Sequence, residues 1–509
     1  MTGEPRPAPG GQPRGSVSRR ALLVATGAGA LLLLGDVLRW MAVGPLPPAV
    51  LGTVLPGGAA LEAEAALGAV LAVCALALAG GLRRRWGTAA AVTGLSLAAL
   101  LANLGPFPTF DTAPATVLPF ALLRDGQLTF EGTGLDSPLL RLSADPLPYC
   151  LVRSGDRVAS KYSPAPGLLA APLYLPAALG RFDARREEVV QLGKLAAALL
   201  TALGVACVHA ASVRLTDARV AAAATALYVL GTPVLPVLGQ TLWLHTGAAF
   251  GFSVALLALT RNDRPVWWTG ALVGVALGVA VACRPVDLVL AAGIAAALWQ
   301  VRPRALGWMV GTAAVPLLLL AVYQAQVFGS PLATGYGAEA SYGWQVPLSG
   351  WALGVLGLLV SPGRGLLLHA PVLLLALLAL ARPGRARSPQ WFLPLALALL
   401  AFLGVMGHWY MWWGGSSPGN RMLSDGLPIL GVALACGLDE AWRRARLRVP
   451  IVALAVVSGV TSAALTFDVH APLWVQVMSV GGEEHPRPWD PGTHPVVARV
   501  RILLTGATR

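Results

Sequence analysis

The stretch whose reading decides the fold runs from Pro106 to Gly167: PFPTFDTAPATVLPFALLRDGQLTFEGTGLDSPLLRLSADPLPYCLVRSGDRVASKYSPAPG. It is the longest polar interval in a chain otherwise built of apolar runs. Asp111 stands near its start, directly after an apolar segment, and Lys161-Tyr162-Ser163-Pro164-Ala165-Pro166-Gly167 closes it. The bland reading of Asp111 is a loop aspartate, or an N-cap together with Thr112 for the stretch that follows. The sharper reading is a carboxylate held at a membrane–water boundary, able to take a proton from a hydroxyl nucleophile.

The rest of the chain says which solvent surrounds that interval. Of 509 residues, 56% are hydrophobic and 12% charged, with a mean hydropathy of +0.67. Soluble domains carry about 25% charged residues, so this is a polytopic membrane protein. A spanning helix needs about 20 mostly apolar residues. Such runs fall at 21–43, 62–81, 87–106, 189–213, 218–238, 241–260, 266–283, 286–301, 305–327, 366–381, 390–409, 425–441 and 450–467. The expected fold is an all-α bundle of about 13 transmembrane helices, with a Pro/Gly/Arg-rich disordered N-terminus (1–20), a membrane domain (21–469) and an extracytoplasmic tail (470–509).

The net charge of +13 is nearly all arginine, Lys161 and Lys194 being the two lysines. The arginines sit in short groups between apolar runs, which argues against nucleic acid and for the positive-inside rule. The groups are Arg14, Arg19 and Arg20; Arg83 to Arg85; Arg214 and Arg219; Arg261 and Arg264; Arg302 and Arg304; Arg382, Arg385 and Arg387; and Arg443, Arg444, Arg446 and Arg448. Thirteen spans with a cytoplasmic N-terminus put all seven groups inside. This requires residues 165–180, broken by three prolines, to be an interfacial helix on the outer face, at the cost of leaving Arg181, Arg185 and Arg186 outside. The outer face then collects the loops 106–188, 328–365 and 408–424, with the short apolar piece 351–360 lying at the interface. Arginine-rich, lysine-poor usage points to a GC-rich bacterial source and so to an inner membrane.

Five cysteines without CxxC or Cys/His spacing exclude a disulfide framework and a zinc site. No Walker or Rossmann fingerprint is present, and glycines within apolar runs read as helix-packing positions. No spacing demands a metal, although the outer-loop acids leave room for a divalent ion.

The order of elements resembles the GT-C superfamily of membrane glycosyltransferases, in the manner of the dolichyl-phosphate-mannose–protein mannosyltransferases. The resemblance rests on Phe110-Asp111-Thr112, Leu118-Pro119, Leu122-Leu123-Arg124-Asp125-Gly126 and the closing Lys161–Gly167 motif, similar to Tyr-Pro-Pro-Gly. Arg284-Pro285, Phe328-Gly329-Ser330-Pro331 with Thr334-Gly335-Tyr336, Ser361-Pro362-Gly363-Arg364-Gly365 and Gly419-Asn420-Arg421 extend it over roughly residues 87–445. Two spans precede the aspartate loop that members often carry after the first. A second acid is open among Glu131, Asp136, Asp145 and Asp156. The resemblance implies transfer of a sugar from a polyprenyl-phosphate donor to a hydroxyl of a glycan, lipid or protein on the outer face, with Asp111 as general base.

Phosphate recognition falls to cations outside the charge bias, namely Arg284, Arg364 and Arg421, with Lys161. Tyr162, His408, Trp412, Trp413 and Asn420 are candidate sugar or acceptor contacts; His369, His245 and Gln240 are weaker ones. The rival class is a transporter or flippase of a lipid-linked substrate. It would place polar residues deep in several spans and show repeat symmetry, and neither is visible here.

Overall fold

The computed structural model describes residues 85–103, 109–180, 182–184, 189–385, 388–415, 417–467 and 487–505. The N-terminal segment, the expected spans 21–43 and 62–81, and residues 468–486 of the tail lie outside the described residues.

The described chain is helical apart from one hairpin. Helix α1 (Arg85–Leu101) leads into the polar interval, where α2 (Ala113–Asp125) is followed by strands β1 (Leu151–Ser154) and β2 (Arg157–Ser160) and by α3 (Ala165–Leu179). The long helices then run α4 (Val189–Leu215), α5 (Ala218–Leu230), α6 (Leu244–Leu259), α7 (Val266–Cys283), α8 (Leu288–Val301) and α9 (Leu306–Phe328). After them come α10 (Glu339–Tyr342), α11 (Leu348–Val360), α12 (Leu366–His369), α13 (Leu374–Leu380), α14 (Phe392–His408), α15 (Leu427–Trp442), α16 (Arg448–Thr466) and α17 (Pro495–Thr505).

Two expected spans are not single helices. The run 218–238 stops at Leu230 and closes as a π turn, Val234–Leu238. The run 366–381 breaks at Ala370 into α12, a 3-10 turn and α13. Pro233, Pro236 and Pro371 explain both, since proline has no N–H for the helical ladder and clashes with the preceding turn. Among the described residues four helices, Val189–Leu215, Val266–Cys283, Pro303–Phe328 and Ala445–Thr466, are long and apolar enough to cross a membrane. Along α9, Val310, Leu318 and Leu319 are more than 60% exposed. An apolar face of that extent needs lipid rather than water.

Contacts sort the connections into two ends. At one end Asn103 reaches Gln240 and the Thr466 carbonyl, Thr112 meets Thr241, and Ser163 bonds the Ala282 carbonyl. At the other end Arg302 reaches Asn262 and the Arg264 carbonyl, Arg382 pairs with Glu440, and Arg443 with Asp217. Successive long helices from α4 to α16 therefore alternate in direction. The arginine-rich turns gather at the end opposite Asp111.

Helix α7 shows why the glycines lie where they do. Gly270, Gly274 and Gly278 form a small-residue stripe against α9, and a Cβ at Gly274 would stand 2.1 Å from Thr312 Oγ1 and 2.2 Å from the Met309 carbonyl. Close backbone approach of this kind drives helix association in lipid. Gly274→Leu is expected to part α7 from α9 and to lower stability by about 1–3 kcal/mol or more, the range for overpacking. Thermal unfolding in detergent checks it, and an unchanged midpoint would show that the stripe does not set the packing.

The polar interval forms a compact layer at one end of the bundle. Helix α2 packs on α3, where a Cβ at Gly167 would stand 3.0 Å from the Ala115 carbonyl, and Phe120 meets Tyr174 edge-on and stacks on Phe182. The run 165–180 forms α3, with one face packed against α2 and another, carrying Leu168, Leu175 and Leu179, exposed. The hairpin docks on the end of α9 through Ser154 to the Val327 carbonyl and Arg157 to the Gln326 carbonyl. Helix α11 lies along the end of α14, with Gly354 against Gly407 and Trp351 Nε1 on the Gly404 carbonyl.

Candidate functional site

Asp111 precedes α2 in a tight turn closed by Thr112 N–H on the Thr109 carbonyl. The capping reading is not realised: α2 has no side-chain cap, and the Thr112 hydroxyl contacts Thr241 and the Thr109 carbonyl instead. The carboxylate turns into a cleft. Its Oδ2 accepts from Arg421 Nη1 at 2.5 Å, and its Oδ1 from the hydroxyls of Tyr149 at 2.7 Å and Tyr162 at 2.8 Å. Burial pushes the Asp111 carboxyl up, but the Arg421 guanidinium and the two hydroxyls more than offset it, leaving it below the usual carboxylate value. Asp111 is therefore ionised throughout the physiological range.

Arg421 comes from the loop after α14. The loop turns on Gly414 and Gly415, whose φ angles of 77° and 63° lie in the left-handed region that favours glycine. Its guanidinium also lies 4.5 Å from the Trp243 ring. The flat cation is thus held both by a carboxylate and by an aromatic face.

Around this pair stand three further groups. Lys161 forms an ion pair with Glu339, which also accepts from the Tyr410 hydroxyl at 3.3 Å. Lys161 Nζ lies 5.2 Å from the Tyr336 ring, and Tyr336 lies 5.8 Å from Tyr162 and 6.4 Å from Trp409. Arg284 pairs with Asp425, which contacts His245 Nδ1 at 3.0 Å. Asp111, Arg421, Lys161, Glu339 and Arg284 keep side-chain exposures of 12 to 18%, so the cleft is enclosed yet reachable. Tyr336 sits close to Arg284, Asp111, Arg421 and Glu339, and burial pushes its hydroxyl up to about 12. It therefore remains a hydrogen-bond donor. Gly335 lets it in: a Cβ there would stand 2.6 Å from the Lys161 backbone.

Of the residues singled out from sequence, Asp111, Tyr162, Lys161, Arg284 and Arg421 come together. Others are engaged elsewhere. Arg364 is 1% exposed, and its guanidinium donates to the carbonyls of Ser417, Gly419 and Gly415. Those buried carbonyls need a donor, so Arg364 braces the loop that carries Arg421 rather than facing the cleft. Asn420 spends both side-chain functions on backbone, donating to Leu358 and Arg364 carbonyls and accepting from Leu423 N–H. Trp412 is buried against Gly357, with Trp413 edge-on to it. His408 donates to the Val346 carbonyl and His369 to that of Pro362. Gln240 is tied to Asn103 and Lys194.

Among the acids left open as a second carboxylate, Glu131 accepts from the Thr129 hydroxyl and from the Val158 N–H of the hairpin, and Asp136 accepts from the Leu142 N–H. The acid that does reach the cleft is Glu339, and Asp425 lies buried behind it as the partner of Arg284. Neither carries a local motif; nor do Tyr149 and Trp243. Tyr336 had a signal, since Thr334-Gly335-Tyr336 stood out, but nothing there indicated the hydroxyl's direction. No group of three or more His, Cys, Asp or Glu residues suited to a metal occurs among the described residues. Both Asp111 oxygens are occupied by Arg421 and the two tyrosines, so the residues present do not fit a divalent ion.

These features define a mostly helical membrane protein with an ion-paired carboxylate and several cations in a cleft at one end of its bundle. No family model and no curated protein matches the chain. A solved structure similar to it is the Archaeoglobus fulgidus oligosaccharyltransferase in complex with zinc and sulfate, at 14% identity and a TM-score of 0.40. The match covers 79% of this chain and 58% of that one, so the chain spans little more than half of that protein's length. A TM-score of this size does not establish a shared fold.

Proposed function

We propose that the chain is a membrane glycosyltransferase of GT-C type. It moves one sugar from a polyprenyl-phosphate donor to a hydroxyl acceptor at the Asp111 end of the bundle. The observation that carries this reading is the Asp111–Arg421 pair. It places a permanent carboxylate beside a permanent guanidinium, in reach of Lys161, Arg284 and the Tyr336 hydroxyl. A hydroxyl acceptor needs the first and a departing phosphate needs the others.

In the reaction the acceptor oxygen attacks the anomeric carbon from the face opposite the phosphate. The bond from that carbon to the phosphate oxygen breaks, and the electron pair leaves with polyprenyl phosphate. The acceptor proton passes to Asp111, and the product is inverted. Charge grows on the phosphate, so fixed cations there stabilise the transition state more than the ground state. Arg421 links the two halves. A phosphate that draws its guanidinium away from Asp111 also raises the proton affinity of the carboxylate, strengthening the base once donor is bound.

The donor tail has a place to lie. An open groove of about 470 Å³ is lined by Trp344, Trp351, Leu400, Gly404, Val405 and His408. Trp344 contacts Trp409 at 4.8 Å, and Trp409 faces Tyr336, so the groove starts beside the cleft. The gathering of the arginine-rich turns at the opposite end supports, through the positive-inside rule, our reading of the cleft as extracytoplasmic, and we read the membrane as a bacterial inner membrane.

The test is to supply the full chain in bilayers with a labelled polyprenyl-phosphate sugar and an acceptor-containing membrane extract. The expected result is release of free polyprenyl phosphate matched by labelled sugar on the acceptor. Movement of intact donor across the bilayer with no release would establish transport and overturn the proposal.

A further inference from the structure

Behind Arg284 lies a charge cluster that the sugar-transfer step does not use. His245 opens α6, Asp425 precedes α15, Arg284 follows α7 and Asp287 precedes α8. Asp287 and Asp425 are 0% exposed. Arg284 Nη1 pairs with Asp425, lies 3.9 Å from Asp287 Oδ1 and 3.5 Å from His245 Nδ1. The Asp287 carboxyl lies against that of Asp425, and neither of its oxygens finds a donor among the described residues.

Charge counting constrains this arrangement. With both carboxyls ionised and His245 neutral, one guanidinium faces two carboxylates and the cluster carries a buried charge of −1. Buried net charge is costly, and carboxylates in contact do not both ionise readily. The unpartnered Asp287 oxygens fit a carboxyl that holds the missing proton against Asp425. His245, with both Asp425 oxygens 3.0 Å from its Nδ1, is a second seat for a proton. The remaining charged or titratable groups nearby are Arg421 and Tyr336 across the cleft and Cys283 next to Arg284.

We propose that His245, Asp287 and Asp425 form a proton-binding site coupled to Arg284, so that an anionic phosphate ester binding at Arg284 is accompanied by uptake of one proton. An arriving anion competes with Asp425 for the guanidinium. The freed negative charge and the anion itself both raise proton affinity at His245 and the carboxyl pair. Linkage is reciprocal, so protonation strengthens anion binding by the same factor. Affinity is then highest at low pH and falls as pH rises, by at most about tenfold per pH unit for one linked proton. This rests on the reading of Arg284 as a phosphate contact.

The experiment is calorimetric titration of the full chain with farnesyl methyl phosphate. This diester keeps one negative charge across the pH range used, so any proton exchanged comes from the protein. Binding enthalpies in two buffers of different ionisation enthalpy, at about pH 7.5, yield the proton count. Uptake near one proton is expected for the wild-type chain, with affinity weakening as pH rises. His245→Asn should keep binding while reducing uptake by at least half, and Asp287→Asn, whose amide stands in for the protonated carboxyl, should keep both binding and uptake; a merely structural role of His245 would weaken binding and leave the count unchanged. The uptake should persist in Asp111→Asn, which removes any proton that Asp111 itself would take up when a phosphate draws Arg421 away. Binding by wild type without proton exchange would overturn the coupling and leave the glycosyltransferase reading standing. Absence of binding would overturn the phosphate assignment and the coupling with it. If a variant does not fold, the wild-type proton count alone decides.

Discussion

Asp111→Asn is expected to lower sugar transfer by about 10²–10⁴-fold, the usual contribution of a positioned general base. The substitution keeps the shape of the side chain. An amide oxygen still accepts from Tyr149 and Tyr162, so the turn before α2 has no reason to move. What is lost is the negative charge facing Arg421 and the ability to take a proton from the acceptor. The loss should fall on kcat more than on donor KM, because the donor meets the cations and not the carboxylate.

The pH profile separates this role from a purely structural one. The folded Asp111 value lies below the 3.8 of an unperturbed aspartate. Such a depressed carboxyl contributes stability that is fully present above the unfolded value and is lost as pH falls through the folded one. Ionisation of Asp111 in the free enzyme should thus put no limb of its own into the kcat/KM profile above about pH 5. Transfer by the asparagine variant at close to the wild-type rate, in a correctly inserted protein, would remove Asp111 from the chemistry.

The second large effect is expected at Arg421. Arg421→Gln should reduce transfer by about 10²–10³-fold, comparable to removing one charge-stabilising donor from a transition state. Three partners disappear together: the Asp111 pair, the Trp243 stack and the proposed phosphate contact. Arg421→Lys should recover little, since an ammonium supplies neither the planar fork nor the stacking surface. The stability cost should stay below the ~3–5 kcal/mol of a fully buried pair, because Arg421 and Asp111 retain 14 and 17% exposure. Without the guanidinium, the carboxyl is left with burial as its largest influence, and its pKa rises. An acid limb absent from the wild-type pH–rate profile should then appear. Equal loss of rate with no change in the profile would mean that Arg421 acts on the donor alone and does not tune Asp111.

Arg421 also shows how far local pattern reaches. Its selection followed from a cation standing against the charge bias, and the same reasoning selected Arg364. Their fates differ for a reason that lies outside both segments. The loop 414–421 turns back on itself and exposes three carbonyls inward, and Arg364 is the buried donor that meets them. Arg421, on the far side of the same loop, faces a carboxylate 310 residues away in sequence.

The sequence by itself determined the membrane class, most helix ends from α4 onward to within a few residues (the runs 218–238 and 366–381, broken by proline, are the exceptions) and the gathering of arginine turns at one end, and it singled out Asp111 as a candidate. Apolar runs, prolines and charge groups act on their own neighbourhood, so a one-dimensional pattern suffices for them. Tertiary structure decided the pairings: Asp111 with Arg421, Lys161 with Glu339, and Arg284 with Asp425 and Asp287. It also decided that Arg364 and Asn420 brace the loop and that Tyr336 enters the cleft. Those outcomes depend on which helix ends meet across the bundle. That is set by the close approach of distant backbones, at Gly274 on α9 or Gly335 over Lys161, and no residue's immediate neighbours in the chain encode it.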